Sequence, residues 1–418
     1  MLDIPLLVKR RLSDGNVQNV GQLAENATGV YFRYDESYLA SHQSSLSPFN
    51  LPWDNFLHQA PKQPHYGLEG VFADSLPDGW GLYLMDRVFR QNGYNPRTIS
   101  VLERLAFTGE RGFGALFYEP DLPLSHQENN QDLTLITLGN EAVKEFEGTE
   151  SHLIAHLMDA GGSGGARPKL SVTRLADGTF SSQQDAVGKK LLVKLTSEKF
   201  ALGHRESQIE YVYMMMARQA GIEVADFTLI DIGKDRHWLE QERFDCVGDH
   251  GRRHMISASG LLDAPFREPS LDYVDLIKAT RILCGVEEAR KLLRRALFNY
   301  LTVNQDDHAK NFAFLADDQD NWRLSPCYDI VYSPSPYGQH MTAFNGNGSK
   351  ITASAMTMMA GQAGLANAKA VMNVAEEIYS VVSHFQQQAN TVGLPTALAK
   401  EIQRDIDGKW LALRSANQ

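Results

Sequence analysis

The sequence is short of three things, and each shortage closes off a class of protein. It carries three cysteines, Cys246, Cys284 and Cys327, far apart and without a CxxC pair. Neither a structural zinc site nor a disulfide framework is expected, and a reducing, cytoplasmic setting fits. It has no excess of basic residues: 40 Lys and Arg against 51 Asp and Glu leave a net charge of −11. That argues against a large nucleic-acid surface, which needs clustered cations, while leaving room for a partner protein that binds DNA. It also lacks any apolar run near the roughly 20 residues of a membrane helix. Met1 to Val8 contains Asp3 and Pro5 and runs into Lys9-Arg10-Arg11, too short and wrongly charged for a secretory leader. No internal repeat is visible.

What remains is an ordinary soluble composition, 43% hydrophobic and 22% charged, long enough for two or three structural units with a sizeable core. Residues 1–122 read as a small α/β subdomain. Strand-like Gly29–Tyr34 and Gly112–Tyr118 flank a helix after Pro77-Asp78-Gly79, with Leu82, Met85, Val88 and Phe89 at helical spacing. A polar stretch from Asp121 to Gln131 marks a boundary. Residues 123–246 contain a glycine loop (161–165), strands through Lys169–Val172 and Lys190–Leu195, and a helix over Glu206–Gln219. That helix has Ile209, Val212, Tyr213 and Met216 on one face and Gly221 as its stop. Two further strands are expected at 227–230 and 238–244. Residues 247–418 read as predominantly helical.

The chemistry concentrates in Asn304-Gln-Asp-Asp-His-Ala-Lys-Asn311 and Tyr328-Asp329-Ile330. Asp306 precedes Asn311 by five residues, the offset of Asp and Asn in the protein-kinase catalytic loop, and a second aspartate, Asp329, follows at about the distance of the metal-holding one. That pattern suits phosphoryl transfer: one carboxylate accepts a hydroxyl proton, while an amide and a second carboxylate hold Mg²⁺ against ATP phosphates. Taken singly, each part has an ordinary reading. A glycine run is usually a flexible loop, Lys194 in a strand can snorkel, Glu210 can be a solvated carboxylate, His308 a structural histidine and Asp329 a turn cap. Their order in the chain favours the kinase reading. Glycine loop, strand lysine (Lys194), helix glutamate (Glu210), the Glu242-Arg243-Phe244 segment as adenine hinge, Asp306, Asn311 and Asp329 follow one another as a kinase α+β fold requires.

These motifs resemble the HipA toxins, the serine/threonine kinase halves of bacterial toxin–antitoxin pairs. The resemblance runs through Phe72–Gly79, Gly109–Ala115, Gly164–Lys169, Val193–Leu195, Glu242–Asp245, Asp306–Asn311 and Pro326–Ile330. It implies a two-lobed kinase-like fold, with a mixed α/β N-lobe and an all-helical C-lobe, plus a small N-terminal subdomain. By the same resemblance Gly164, Gly165, Ala166, Arg167, Pro168 and Lys169 cover ATP and Lys194, oriented by Glu210, contacts its phosphates. Glu242, Arg243 and Phe244 hold adenine, and Asp306 is the catalytic base. His308, Ala309, Lys310 and Asn311 line nucleotide and metal, and Tyr328 and Asp329 complete the Mg²⁺ site. A helix-turn-helix antitoxin of the HipB type is implied as partner, an aminoacyl-tRNA synthetase as protein substrate, and the cytoplasm as location. One departure is visible. The serine that relatives autophosphorylate before the loop falls on Gly162 here, with Ser163 one residue along.

Two other readings stay open on the residues alone. One is a small-molecule kinase of the aminoglycoside or choline type, separated by its acceptor. The other is a catalytically idle co-repressor of a DNA-binding partner, separated by whether it binds Mg-ATP.

Overall fold

The protein is described by a computed structural model over residues 4–122, 133–161 and 164–416; Gly162 and Ser163 lie outside these described residues. The first sheet contains β1 (Leu6–Arg11), β2 (Val17–Asn26), β3 (Gly29–Tyr34), β4 (His58–Gln59) and β5 (Leu116–Glu119), in the order β4-β3-β2-β1-β5. Alternation along β1 buries Leu6, Val8 and Arg10 and leaves Leu7, Lys9 and Arg11 half-buried, as a sheet with one packed face demands.

The second sheet contains β6 (Lys169–Arg174), β7 (Phe180–Ser181), β8 (Lys189–Lys194), β9 (Phe227–Asp231) and β10 (His237–Glu242), in the order β7-β6-β8-β10-β9. Leu170, Val172, Leu191, Val193 and Trp238 share one core with Leu84, Val88, Leu138 and Leu157 from the helices Gly79–Gln91, Leu135–Glu147 and Ile154–Ala160. The Trp238 indole fits there because Gly139 has no side chain; a Cβ would stand 2.2 Å from its ring. The predicted helix is present as Glu206–Gln219, burying Ile209, Val212, Tyr213 and Met216, and Gly221 follows at φ +74°. It packs beside β10 and carries Glu210 inward with its apolar face.

The C-terminal half is mainly helical, with Tyr273–Cys284, Val286–Leu301, Ala353–Gln362, Ala368–Val382, Phe385–Thr391 and Thr396–Ser415. It is not wholly helical as expected. His254–Ser257, Ala313–Ala316 and Trp322–Leu324 form an antiparallel three-stranded sheet, and Leu271–Asp272 pairs in parallel with Thr342–Ala343. These strands are two to four residues long, too short to show a period of two, and Ala313–Ala316 is buried throughout.

The first sheet is tied to this half by buried charge. Arg10 donates to Tyr38 Oη (2.8 Å), Asp320 Oδ1 (3.0 Å) and the Asp317 carbonyl (2.6 Å). Asp320 also lies 3.0 Å from His42 Nδ1 and accepts the Gln43 N–H at 2.9 Å. Burial alone would raise the Asp320 carboxyl, but His42, Gln43 and Arg10 pull it down to about 2. Its folded value lies below its unfolded one. The carboxylate therefore stabilises the fold above about pH 4 and loses that contribution as the pH falls towards about 2. Asp320→Ala is expected to destabilise by about 3 kcal/mol, since it leaves the buried Arg10 unpaired. Its thermal midpoint should fall by several degrees at pH 7, with the gap to wild type narrowing on acidification. An unchanged midpoint at pH 7 would remove this tie.

Candidate active site

The site begins with a cross-strand pair of like charges. Lys169 in β6 stands opposite Lys194 in β8, so both side chains leave the same face of the sheet. Two ammonium groups so placed require anions. Lys194 Nζ lies 2.5 Å from Glu210 Oε1 and 2.6 Å from Asp329 Oδ1. Burial would lower the Lys194 ammonium, but Asp329 and Glu210 together raise it, so it stays charged. Asp329 is held low against the pull of burial by Lys194, Lys169 and Arg167. Its backbone is left-handed, φ +56°, a conformation Asp tolerates and larger residues avoid. The strand, the helix and the Tyr328–Asp329 loop thus meet on one amine.

The Asp306 loop follows the helix Val286–Leu301 through Val303, also at positive φ (+56°). It is framed by side chains that the sequence did not single out, Asp307 above all. Asp307 is fully buried and accepts from Tyr273 Oη (2.6 Å), His340 Nδ1 (2.8 Å) and the N–H groups of Met341 (2.9 Å) and Thr342 (3.2 Å). Asn304 bonds to Asn299 and Ser333, and Gln305 braces Ser335 and Gly338. With its neighbours fixed, the Asp306 side chain faces solvent. The cleft around it nonetheless strips water from the carboxyl and raises its pKa; His308 opposes this and Asp329 adds to it. Asn311 Nδ2 donates to the Asp306 carbonyl at 2.7 Å, which turns Oδ1 the other way. His308 Nδ1 accepts the Lys310 N–H (3.2 Å) and caps the short turn Ala309–Asn311.

Gly164 and Gly165 sit over the lysines: Lys169 Nζ donates to the Gly164 carbonyl at 2.8 Å, and a Cβ on Gly165 would stand 2.5 Å from that amine. Arg167 pairs with Glu206 and lies 5.6 Å from the centre of the Phe200 ring. Burial pushes Glu206 up to about 7, against the charge of Arg167. Ala166 lies beside Gly79, and the Pro168 carbonyl accepts the Leu195 N–H. Asp78 accepts the Gly165 N–H and pairs with Lys310 Nζ at 2.7 Å. An aspartate beside glycine at a helix start reads as a cap, which hid this role.

The expected hinge divides. Phe244 is brought to the site, its ring 5.5 Å from that of Tyr328, and Tyr328 Oη donates to the Lys310 carbonyl at 2.6 Å. Arg243 points elsewhere: its guanidinium pairs with Asp245 at 2.6 Å, bonds to Ser171 and Gly112, and covers the Phe113 ring at 4.1 Å. Glu242 pairs with Lys189 at 2.9 Å. The Glu242 and Arg243 N–H groups already donate to the Asp226 and Lys190 carbonyls. Gln241 was missed; it is buried and donates to Glu210. Two surface cavities of about 400 and 440 Å³ share no residue with this cluster. One is lined by Leu202, His204, Arg205 and Arg236, the other by Met215, Gln219, Val381 and His384.

The donor set can be tested against Mg²⁺ and a nucleotide. Among the described residues, no cluster of three or more His, Cys, Asp and Glu could hold a metal by itself. The cluster supplies one carboxylate, Asp329, beside Lys194, and one amide, Asn311, beside the Asp306 carbonyl. That combination fits an ion held partly by substrate phosphates and not by a protein cage.

The HipA-like C-terminal domain matches residues 161–410 and the HipA N-terminal domain residues 15–119. Toxin YjjJ of Escherichia coli (strain K12) is 25% identical over 214 residues, 48% of this chain and 45% of that protein. Y4dM of Sinorhizobium fredii, whose name includes the word kinase, is 27% identical over 185 residues, 40% of this chain and 44% of that protein. The chain thus matches a little under half the length of either curated relative. The HipA chain solved with HipB and operator DNA from Shewanella oneidensis MR-1 superposes over 98% of this chain and 99% of its own, with a TM-score of 0.69 and 18% identity. The fold is therefore the kinase-like α+β fold of HipA. No helix among the described residues is long and apolar enough to cross a membrane. With its matched domains reaching from residue 15 to residue 410, the chain belongs to the HipA family.

Proposed function

We propose that this protein is an ATP-dependent serine/threonine protein kinase, transferring the γ-phosphoryl of Mg-ATP to a protein hydroxyl. The observation that carries the reading is the convergence of Lys194, Glu210 and Asp329 beside Asp306 and Asn311. On this reading residues 123–246 and 247–418 are the two lobes that enclose the nucleotide, and 1–122 is an added unit. Asp329 and the Asn311 Oδ1 would hold Mg²⁺, which when bound neutralises charge on the phosphates. Lys194, kept in place by Glu210, would pair with the α/β-phosphates, and Lys169 and the Gly164–Gly165 backbone would cover them. Tyr328 and Phe244 would offer apolar faces to adenine. Asp306 would accept the proton of the attacking hydroxyl, and its raised pKa suits a general base.

A protein acceptor of the aminoacyl-tRNA synthetase class and a HipB-type antitoxin partner are part of the same proposal. The partner is supported by the Shewanella chain, which was solved with HipB and operator DNA. With net charge −11 this chain would meet DNA through that partner. A cytoplasmic location follows from such a target.

Five outcomes test the reading. Wild type incubated with γ-labelled ATP and host lysate should label one protein band, and label on a small metabolite alone would favour the small-molecule kinase. Asp306→Gln should bind Mg-ATP as wild type does, by calorimetry, while transfer falls at least about 100-fold; loss of binding would overturn the base assignment. Asp329→Ala should lose Mg-ATP binding, and undiminished binding would overturn the metal site. The acid limb of kcat/KM should lie above the ordinary aspartate value of about 4, because only deprotonated Asp306 accepts a proton and its pKa is raised; a limb at or below that value overturns this. Finally, we place autophosphorylation at Ser163, where the added charge of roughly −2 would repel ATP phosphates. Wild type should gain 80 Da (one phosphoryl group, about −2 in charge) on incubation with ATP and Ser163→Ala should not, and equal gain by both removes the assignment.

A further inference from the structure

We propose that Asp78 is a positioning residue of the phosphate site. Its carboxylate clamps the glycine loop to the catalytic loop by joining the Gly165 N–H to the Lys310 ammonium. The inference rests on the nucleotide reading above and adds the residue that fixes two parts of it relative to each other.

The first observation is what Asp78 does not do. It occupies the N-cap of the helix Gly79–Gln91 yet makes no side-chain cap bond, forgoing a contribution of about 1 kcal/mol that Asp commonly provides there. Both oxygens are committed elsewhere: Oδ1 accepts the Gly165 N–H and Oδ2 takes Lys310 Nζ at 2.7 Å. The group is buried, with 7% of the residue exposed, so both bonds are charge-assisted and poorly screened.

The second observation is that the same helix start grips Gly165 from its other side. The Trp80 N–H donates to the Gly165 carbonyl at 2.9 Å. Gly79 between them has φ +46°, and a Cβ there would stand 2.4 Å from the Gly165 oxygen. Only glycine admits that approach. The Gly165 peptide is thus held at both its N–H and its carbonyl by residues 78 and 80.

Lys310 is fixed at its other faces. Its amine lies 4.4 Å from the centre of the Phe266 ring, and its carbonyl accepts Tyr328 Oη. Asp78 therefore sets the distance between the glycine loop and an ammonium one residue from Asn311. Two segments that share one triphosphate gain from being held before it arrives, since the ordering cost has already been met in folding.

Asp78→Asn keeps the shape and removes the charge. Without nucleotide, hydrogen exchange in peptides covering 164–169 should quicken about tenfold, the loss expected for one charge-assisted bond of roughly 1.4 kcal/mol. Mg-ATP should bind about tenfold more weakly, with the thermal midpoint little changed. In the Lys310→Met background, adding Asp78→Asn should weaken binding by less than about threefold, because the bridge is already broken. Unchanged exchange in Asp78→Asn would sink the proposal, as would independent, multiplying effects in the double variant. If wild type bound no Mg-ATP, the nucleotide reading would fall and the exchange comparison alone would decide the clamp. Should Asp78→Asn not fold, Lys310→Met should show the same quickened exchange, and its absence would equally overturn the proposal.

Discussion

The ammonium of Lys194 is the point on which the candidate site depends. It ends a strand beside another lysine, and two like charges on one sheet face would by themselves destabilise the pairing of β6 and β8. Glu210 and Asp329 turn that liability into a junction, because each arrives from a different element: the helix Glu206–Gln219 and the loop after Leu324. Removing one partner of such a buried group leaves an uncompensated charge, a larger loss than the net value of the pair. The arrangement is therefore specific before it is stabilising. It fixes which helix face turns inward and where the 326–329 loop must end.

A second layer of buried polar groups makes that junction usable. Asp306 faces solvent while Asp307, one residue on, is fully enclosed and receives four hydrogen bonds from Tyr273, His340, Met341 and Thr342. Adjacent residues leave an irregular loop in different directions, so burying one carboxylate presents the other. Asn304 and Gln305 extend this frame to Ser333, Ser335 and Gly338. The Asp306 backbone is itself held on both sides, its N–H donating to Ser333 Oγ at 3.3 Å and its carbonyl accepting Asn311 Nδ2 at 2.7 Å.

Much of this arrangement was legible in the sequence because the kinase pattern it was read against has fixed spacings. Asp306, Asn311 and Asp329 are readable from their offsets, Lys194 and Glu210 from their place on a strand and a helix, and the helix over 206–219 from its apolar period and its glycine stop. What was not legible depends on direction or on distant partners. Arg243 lies inside a hinge-like segment, yet its side chain turns to Asp245 and Phe113, and no local pattern tells which face of an edge residue is used. Asp307 looks like a duplicate of Asp306, and its four donors come from 33 to 35 residues away in the chain. The short strands of the helical half are set by tertiary pairing, not by propensity.

The N-terminal unit then has a physical place in the argument. Among its buried charge contacts with the rest, two reach the stretch that follows the Asp306 loop: Arg10 and His42 on Asp320, and Asp78 on Lys310. Asp320 ends the turn that follows Ala313–Ala316, and that strand starts two residues after Asn311. Both contacts therefore fall on the stretch from 310 to 320, one at the catalytic loop and one just beyond it. Paired charges in a dry setting tolerate little sliding, because a shift of an ångström forfeits hydrogen bonds that nothing else replaces. The N-terminal unit is thus joined directly to the loop that carries Asp306 and Asn311, through Asp78 and Lys310.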